Sequence, residues 1–240
     1  MKTLIIQVKV GNTAGYVYSA DAAPYAKEAL ETMEDTCIPT VRRYCEKYGY
    51  DYKMITEYPT DIDIHFFNKN TKSLDHDYSG GGKNKCATLI RYLNMGLEEY
   101  DYIVSLDNDI FIPEHAKALP EIKGHAGVED RGKVWNLPFH DRFINGGVQM
   151  VTKEAGRSLN NFIRHKCDKK ILPPKHTDQA YMNEWRSKNP SLSYRLGSEW
   201  NYMVGCHPYT EEYSEANFIH YAGWKGREYY VKNFKKGVIK

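Results

Sequence analysis

Two kinds of apolar spacing alternate along the first half of this chain, and that alternation restricts it to one class of architecture. Residues 4–10 form a short β-prone run, and Ile38, Val41, Cys45 and Tyr48 then recur at helical spacing up to a stop at Gly49. Residues 52–56 form a second short run, which completes a βαβ unit. Residues 59–79 are polar and turn-rich, and Gly80-Gly81-Gly82 marks a flexible approach to the next element. Cys86, Leu89, Ile90, Leu93 and Leu97 fall on one helical stripe, so a helix is expected over about 84–99. Tyr102-Ile103-Val104-Ser105-Leu106 follows directly as a buried strand.

Strands alternating with helices predict an α/β fold. The expected form is a Rossmann-like, mostly parallel central sheet flanked by helices, with ligands gathered at the carboxyl ends of the strands. Farther on, 134–136 and 148–151 read as strands separated by a loop at Asn145-Gly146-Gly147. Residues 153–165 and 178–188 read as helices, and 193–196 as a short strand. Nothing in the 240 residues reads as a linker, so one domain is expected.

The strand at 102–106 ends in Asp107-Asn108-Asp109. Side chains two apart on extended backbone point the same way, so the two carboxylates can converge. At roughly 4 to 5 Å they repel by about 1 kcal/mol in water and about 4 kcal/mol at an effective dielectric of 20. A divalent cation removes that conflict. A calcium loop does not fit, because Phe111 and Ile112 stand where such a loop needs a polar ligand and a glycine. A P-loop ending at Gly82-Lys83 fails as well, with Asp77 in place of its first glycine and Asn84 in place of Ser or Thr. The zinc peptidase and esterase signatures HExxH and GxSxG are absent.

A net charge of +2 argues against nucleic acid as a partner. The 20 tyrosines and four tryptophans suit sugar or base faces, and suit ordinary cores equally. Trp200, Tyr202, Tyr209, Tyr213 and Trp224 could form an acceptor platform, although core packing is the favoured reading. The five cysteines include no CxxC pair, so buried reduced thiols are expected. No stretch approaches the ~20 apolar residues of a membrane span, and the first apolar run is too short for a signal peptide. A whole chain of this kind is expected in a cytosol-like, cytoplasmic compartment.

Four further features accompany the acid pair in chain order: Lys85, Asn145-Gly146-Gly147, Asp178-Gln179, and His220-Tyr221-Ala222-Gly223 with Lys225 beyond. With these the sequence resembles the GT-A-fold glycosyltransferases, in particular the retaining glycogenin-like and galactosyltransferase-like group. The resemblance runs from about residue 4 to 227. It implies transfer of a sugar from a nucleotide-sugar donor, most readily a UDP-sugar, to a hydroxyl of a glycan or glycoconjugate acceptor.

By the same resemblance, Asp107, Asp109 and His220 would hold a manganese ion that bridges the donor's phosphates. Carboxylates suit Mg²⁺ or Mn²⁺, and an imidazole tilts the choice toward Mn²⁺. Lys225 and Arg227 would sit on the diphosphate, with Lys85, Asn108 and Gly223 also on the donor. Asn145, Gly146 and Gly147 would lie beside the donor sugar, where glycine lets backbone approach closely. Asp178 would orient a sugar hydroxyl, and Gln179 would face the positive charge developing on the anomeric carbon. Residues 1–112 would form the donor-binding half and 113–240 the acceptor and catalytic half. The family lysine stands six residues after the histidine and precedes Pro-Trp, whereas Lys225 is five after His220 and precedes Gly226.

Plainer roles stand beside these. Asp107 to Asp109 also fits a polar turn, Asp178 a helix cap, Gly146-Gly147 a hairpin turn, His220 a core histidine and Lys85 a solvated helix residue. Two other functions compete. A sugar-phosphate nucleotidyltransferase would carry basic residues in the loop after its first strand, and residues 11–15 contain none. A non-catalytic glycan- or nucleotide-binding module would use the aromatic residues alone.

Overall fold

A computed structural model describes residues 1–9, 23–63, 66, 87–130, 143–172, 179–204 and 214–235. The central sheet has six strands: β1 (Thr3–Val8), β2 (Asp51–Ile55), β3 (Tyr102–Leu106), β5 (His125–Glu129), β6 (Ile144–Thr152) and β7 (Ser193–Leu196). Their spatial order is β2-β1-β3-β6-β5-β7. β1 pairs in parallel with β2 and β3, β5 pairs in parallel with β7, and β6 runs against both of its neighbours. The sheet is therefore mostly parallel, as the alternating pattern predicts.

Both faces of the sheet are covered, which is why its strands read as continuous apolar runs. Every residue of β1 and of β3 is buried. Leu4, Ile6 and Val8 of β1, Ile103 and Val151 face one core, together with α2 (Ala87–Leu93), α3 (Lys153–Asp168) and α4 (Gln179–Lys188). Ile5, Tyr102, Val104, Leu106, Val148 and Met150 face the other, with Val41, Tyr44 and Cys45 of α1 (Ala23–Tyr48). The period of two along each strand builds a three-layer α/β/α sandwich. On α3, Ala155, Leu159, Ile163 and Cys167 repeat every four residues and form its buried stripe.

α1 ends where the spacing predicts. Gly49 has φ +69°, and the Tyr50 amide returns to the Cys45 carbonyl at 2.9 Å, a glycine-based helix stop. α2 departs from expectation. It stops at Leu93, short of residue 99, and turns through bonds from Asn94 N to Arg91 O and Met95 N to Tyr92 O. Asn160 Nδ2 takes up the Leu93 carbonyl at 2.7 Å, and the Met95 carbonyl packs so tightly on Gly156 that a Cβ there would lie 2.1 Å from it. Contacts with α3 thus replace the last turn of the helix. Residues 84–86 and the expected strand at 134–136 lie outside the described residues.

A second sheet has three strands, β4 (Ile110–Phe111), β9 (Ile219–His220) and β8 (Tyr202–Met203) in that order. After β9 comes α5 (Gly223–Lys235). Cys37, Cys45 and Cys167 are buried free thiols, and burial raises the pKa of each. Among the described residues, no helix is long and apolar enough to cross a membrane.

Candidate metal centre

β3 delivers Asp107, Asn108 and Asp109 to the carboxyl edge of the sheet, and two backbone pairings bring their neighbours to them. β6 is antiparallel, so its beginning lies at the same edge as the end of β3. Leu106 pairs with Val148, and the Asp107 amide donates to the Gly147 carbonyl at 2.8 Å. Asn145, Gly146 and Gly147 therefore belong to β6 and are not the free loop that the sequence suggests. β4 begins just after Asp109 and pairs Ile110 with His220. The Tyr221 amide donates to the Asp109 carbonyl at 3.1 Å, which fixes that register.

One ligand atom from each of Asp107, Asp109 and His220 lies within 4.8 Å of the other two. His220 Nε2 is 3.2 Å from Asp109 Oδ1 and 3.6 Å from Asp107 Oδ2. Burial alone would raise the Asp109 carboxyl, yet His220 and then Arg227 outweigh it and hold the group below the usual carboxylate range. Burial alone would lower the His220 ring. Asp109 and Asp107 outweigh burial there, so its pKa stands above the ordinary imidazole value.

Asp109 Oδ1 is buried, and the group that faces it is the His220 ring at 3.2 Å. A buried carboxylate costs several kcal/mol unless a cation meets it, and at this oxygen a protonated His220 or a metal ion can do so. Two carboxylates and an imidazole suit Mn²⁺ better than Mg²⁺ or Ca²⁺. The residues present therefore fit a divalent cation.

The surroundings hold these three side chains in place. Arg91, buried on α2, reaches Asp107 Oδ1 at 2.6 Å. Gln7 Nε2 donates to the Asp107 carbonyl at 3.0 Å, and Gln7 Oε1 accepts from the Tyr52 hydroxyl at 2.9 Å. Asn108 turns away from the acids: its amide donates to the Val8 carbonyl at 2.9 Å and to Glu34 Oε1 at 3.1 Å. Glu34 also pairs with Lys9 at 2.6 Å. His220 Nδ1 lies 2.9 Å from Asn201 Oδ1, Asn201 Nδ2 lies 2.9 Å from Asn145 Oδ1, and the Gly147 amide donates to that same oxygen at 2.8 Å. Gly147 must be glycine for steric reasons, since a Cβ would stand 2.3 Å from His220 Cε1.

The remaining expected residues are distributed as follows. Gly223 has φ +62° and opens α5, where Lys225 is exposed and Arg227 is half-buried. Gly226 lets α5 lie on the Tyr221 backbone, which a Cβ would meet at 2.4 Å. Lys85 and Asp178 lie outside the described residues; Gln179 opens α4, with its side chain outside them. Trp200 and Tyr202 are buried, Trp200 edge-on against Phe218 at 5.4 Å, so they pack the core and form no platform. Tyr209, Tyr213 and the Trp224 side chain lie outside the described residues.

Sequence reasoning missed Arg91 and Asn201. A charge within the apolar run Leu89, Ile90, Tyr92 and Leu93 is a readable signal for Arg91. Asn201 carries no comparable signal.

The chain is similar in fold to solved glycosyltransferases. It aligns with a glycosyltransferase involved in the glycosylation of the major capsid of PBCV-1 over 97% of this chain and 99% of that one, with a TM-score of 0.56 and 14% identity. It aligns with the bifunctional glycosyltransferase WbbM over 92% of this chain and 46% of that one, at a TM-score of 0.54 and 16% identity. An active-site mutant of LgtC aligns over 92% and 87% of the two chains, at a TM-score of 0.50 and 13% identity. The fold is thus of the GT-A type. No protein-family model matches the chain, and no curated protein matches it.

Proposed function

We propose that this protein is a metal-dependent glycosyltransferase that moves a sugar from a nucleotide-sugar, most readily a UDP-sugar, to a hydroxyl of a glycan or glycoconjugate, with retention at the anomeric carbon. The observation that carries this reading is the meeting of Asp107, Asp109 and His220 at the carboxyl edge of β3 in a GT-A fold. That edge is where open α/β sheets take their ligands.

In this reading Asp107, Asp109 and His220 hold Mn²⁺ or Mg²⁺. When bound, the cation supplies positive charge to the departing diphosphate, the main electrostatic task of the reaction. Asn145, Gly146 and Gly147 lie beside the donor sugar, with Gly147 leaving His220 the room it needs next to the acids. Lys225 and Arg227 approach the diphosphate from α5, while Gly223, Asn108 and Lys85 complete the donor side. Asp178 orients a sugar hydroxyl, and Gln179 faces the anomeric carbon from the start of α4. The donor half spans about 1–112 and the acceptor half about 113–240.

A thermal-shift panel of UDP-, GDP- and CMP-linked sugars, with and without Mn²⁺, tests the reading. A ligand at 100 times its dissociation constant stabilises by about 2.7 kcal/mol. A shift with UDP-sugars that requires Mn²⁺ is expected. No response to any nucleotide-sugar would contradict the proposal, and pyrophosphate release from a nucleoside triphosphate would favour a nucleotidyltransferase instead.

A further inference from the structure

The backbone amide of Gly147 can only donate, and this decides the orientation of every polar group between it and the metal centre. Its partner at 2.8 Å must be the oxygen of the Asn145 amide. The Asn145 nitrogen then faces the Asp130 carboxylate at 3.5 Å, a group that can only accept when ionised. The group of Asn201 that meets the Asn145 oxygen at 2.9 Å must therefore be its NH₂. The Asn201 carbonyl oxygen is left facing His220 Nδ1 at 2.9 Å, and it can only accept. The proton of a neutral His220 ring is consequently on Nδ1, and the Nε2 lone pair points at Asp109 and Asp107.

We infer that Asn201 is a positioning residue: through its bridge between Asn145 and His220 it sets the His220 tautomer and ring orientation that present Nε2 to a divalent cation. Asn201 is fully buried and His220 nearly so, and no other described group lies within hydrogen-bond distance of Nδ1. Gly147 lies so close to the Cε1–Nδ1 edge of the ring that a Cβ there would stand 2.3 Å from Cε1. The ring is thus held by one directed bond and one steric wall. The same bridge ties the metal ligand to Asn145, on the segment that borders the proposed sugar site. An exposed, adaptable histidine would need neither constraint. Partners of this kind fix the free nitrogen of a metal-bound imidazole, and their loss weakens metal binding on the order of 10- to 100-fold.

This inference rests on the metal reading above, and the experiment separates the two. Mn²⁺ affinity is measured by calorimetry for the wild type, Asn201→Ala and Asn201→Asp. Asn201→Ala is expected to bind about 10- to 100-fold more weakly. Asn201→Asp keeps an oxygen acceptor opposite Nδ1 but gives up the NH₂ that meets Asn145 Oδ1, and is expected to recover part of that loss. Affinity unchanged in Asn201→Ala, or equal losses in both variants, would overturn the inference and leave the metal reading standing. A wild type that bound no Mn²⁺ would overturn both. The wild type alone gives a second test that needs no variant to fold. In ¹¹³Cd²⁺-loaded protein, ring nitrogen spectra are expected to show the His220 proton on Nδ1 and cadmium coupling on Nε2; the reverse assignment would overturn the inference.

Discussion

The Arg91 guanidinium lies 2.6 Å from the Asp107 carboxylate, with 4% of the arginine side chain and 35% of the aspartate side chain exposed. A buried cation therefore already meets one oxygen of Asp107, while His220 lies 3.6 Å from the other. Arg91→Met removes it and leaves Asp107 and Asp109 to repel one another. The expected cost in metal-free protein is about 2 kcal/mol, under the ~3–5 kcal/mol of a fully buried pair because water reaches Asp107. Urea unfolding in chelator and in Mn²⁺ checks this, with the larger loss expected in chelator. Equal stability of variant and wild type in chelator would contradict it.

Gly147→Ala places a methyl group 2.3 Å from His220 Cε1 and 2.6 Å from Nδ1. Any retreat of the ring would pull Nδ1 from its 2.9 Å contact with Asn201. Overpacking of this kind costs about 1–3 kcal/mol. Mn²⁺ affinity is expected to fall at least about 10-fold, as for loss of a supporting partner. Gly146→Ala serves as the comparison, and a Gly147→Ala protein with wild-type metal affinity would show that His220 does not need this wall.

Two histidines shift in opposite directions and predict a stability maximum for the metal-free protein. Burial first, and Arg186 second, push His125 down to about 3. Below the ordinary imidazole value of about 6.5 the unfolded chain binds a proton that native His125 refuses. Stability from this ring is thus full above that pH and is lost as pH falls, by up to about 1.4 kcal/mol per unit. His220 is raised, so its contribution is full below about 6.5 and is lost as pH rises through its folded value. Urea titrations in chelator from pH 5 to 8 should peak near about 6.5. His125→Gln should flatten the acid side only, and stability climbing steadily to pH 8 would contradict this account.

The parts of the site that lie within one element were legible in the sequence. β3 with its acid pair, the βαβ unit before it and the helix α3 all follow from patterns over a few residues. The parts made by pairing distant segments were not. Gly146-Gly147 reads as a turn, and only the contact between Gly147 and His220, far apart in the chain, explains glycine within a strand. β4 and β9 are two residues each, too short to carry a period, yet their register sets His220 beside Asp109. β5 was missed because His125-Ala126-Gly127 lacks β-branched residues; a Cβ on Gly127 would meet the Ile144 side chain at 2.3 Å, so packing outweighs propensity there. His220 was found by motif order, whereas Asn201, which orients it, has no motif.

The most direct test is release of UDP from a panel of UDP-sugars by purified protein in Mn²⁺, with acceptor glycans present, for the wild type and Asp109→Ala. Turnover is expected to require the metal, to stop on chelation and to fall on the order of 10²-fold or more in Asp109→Ala. Turnover that persists in chelator, or that Asp109→Ala leaves unchanged, would contradict the metal-dependent transfer proposed for this site.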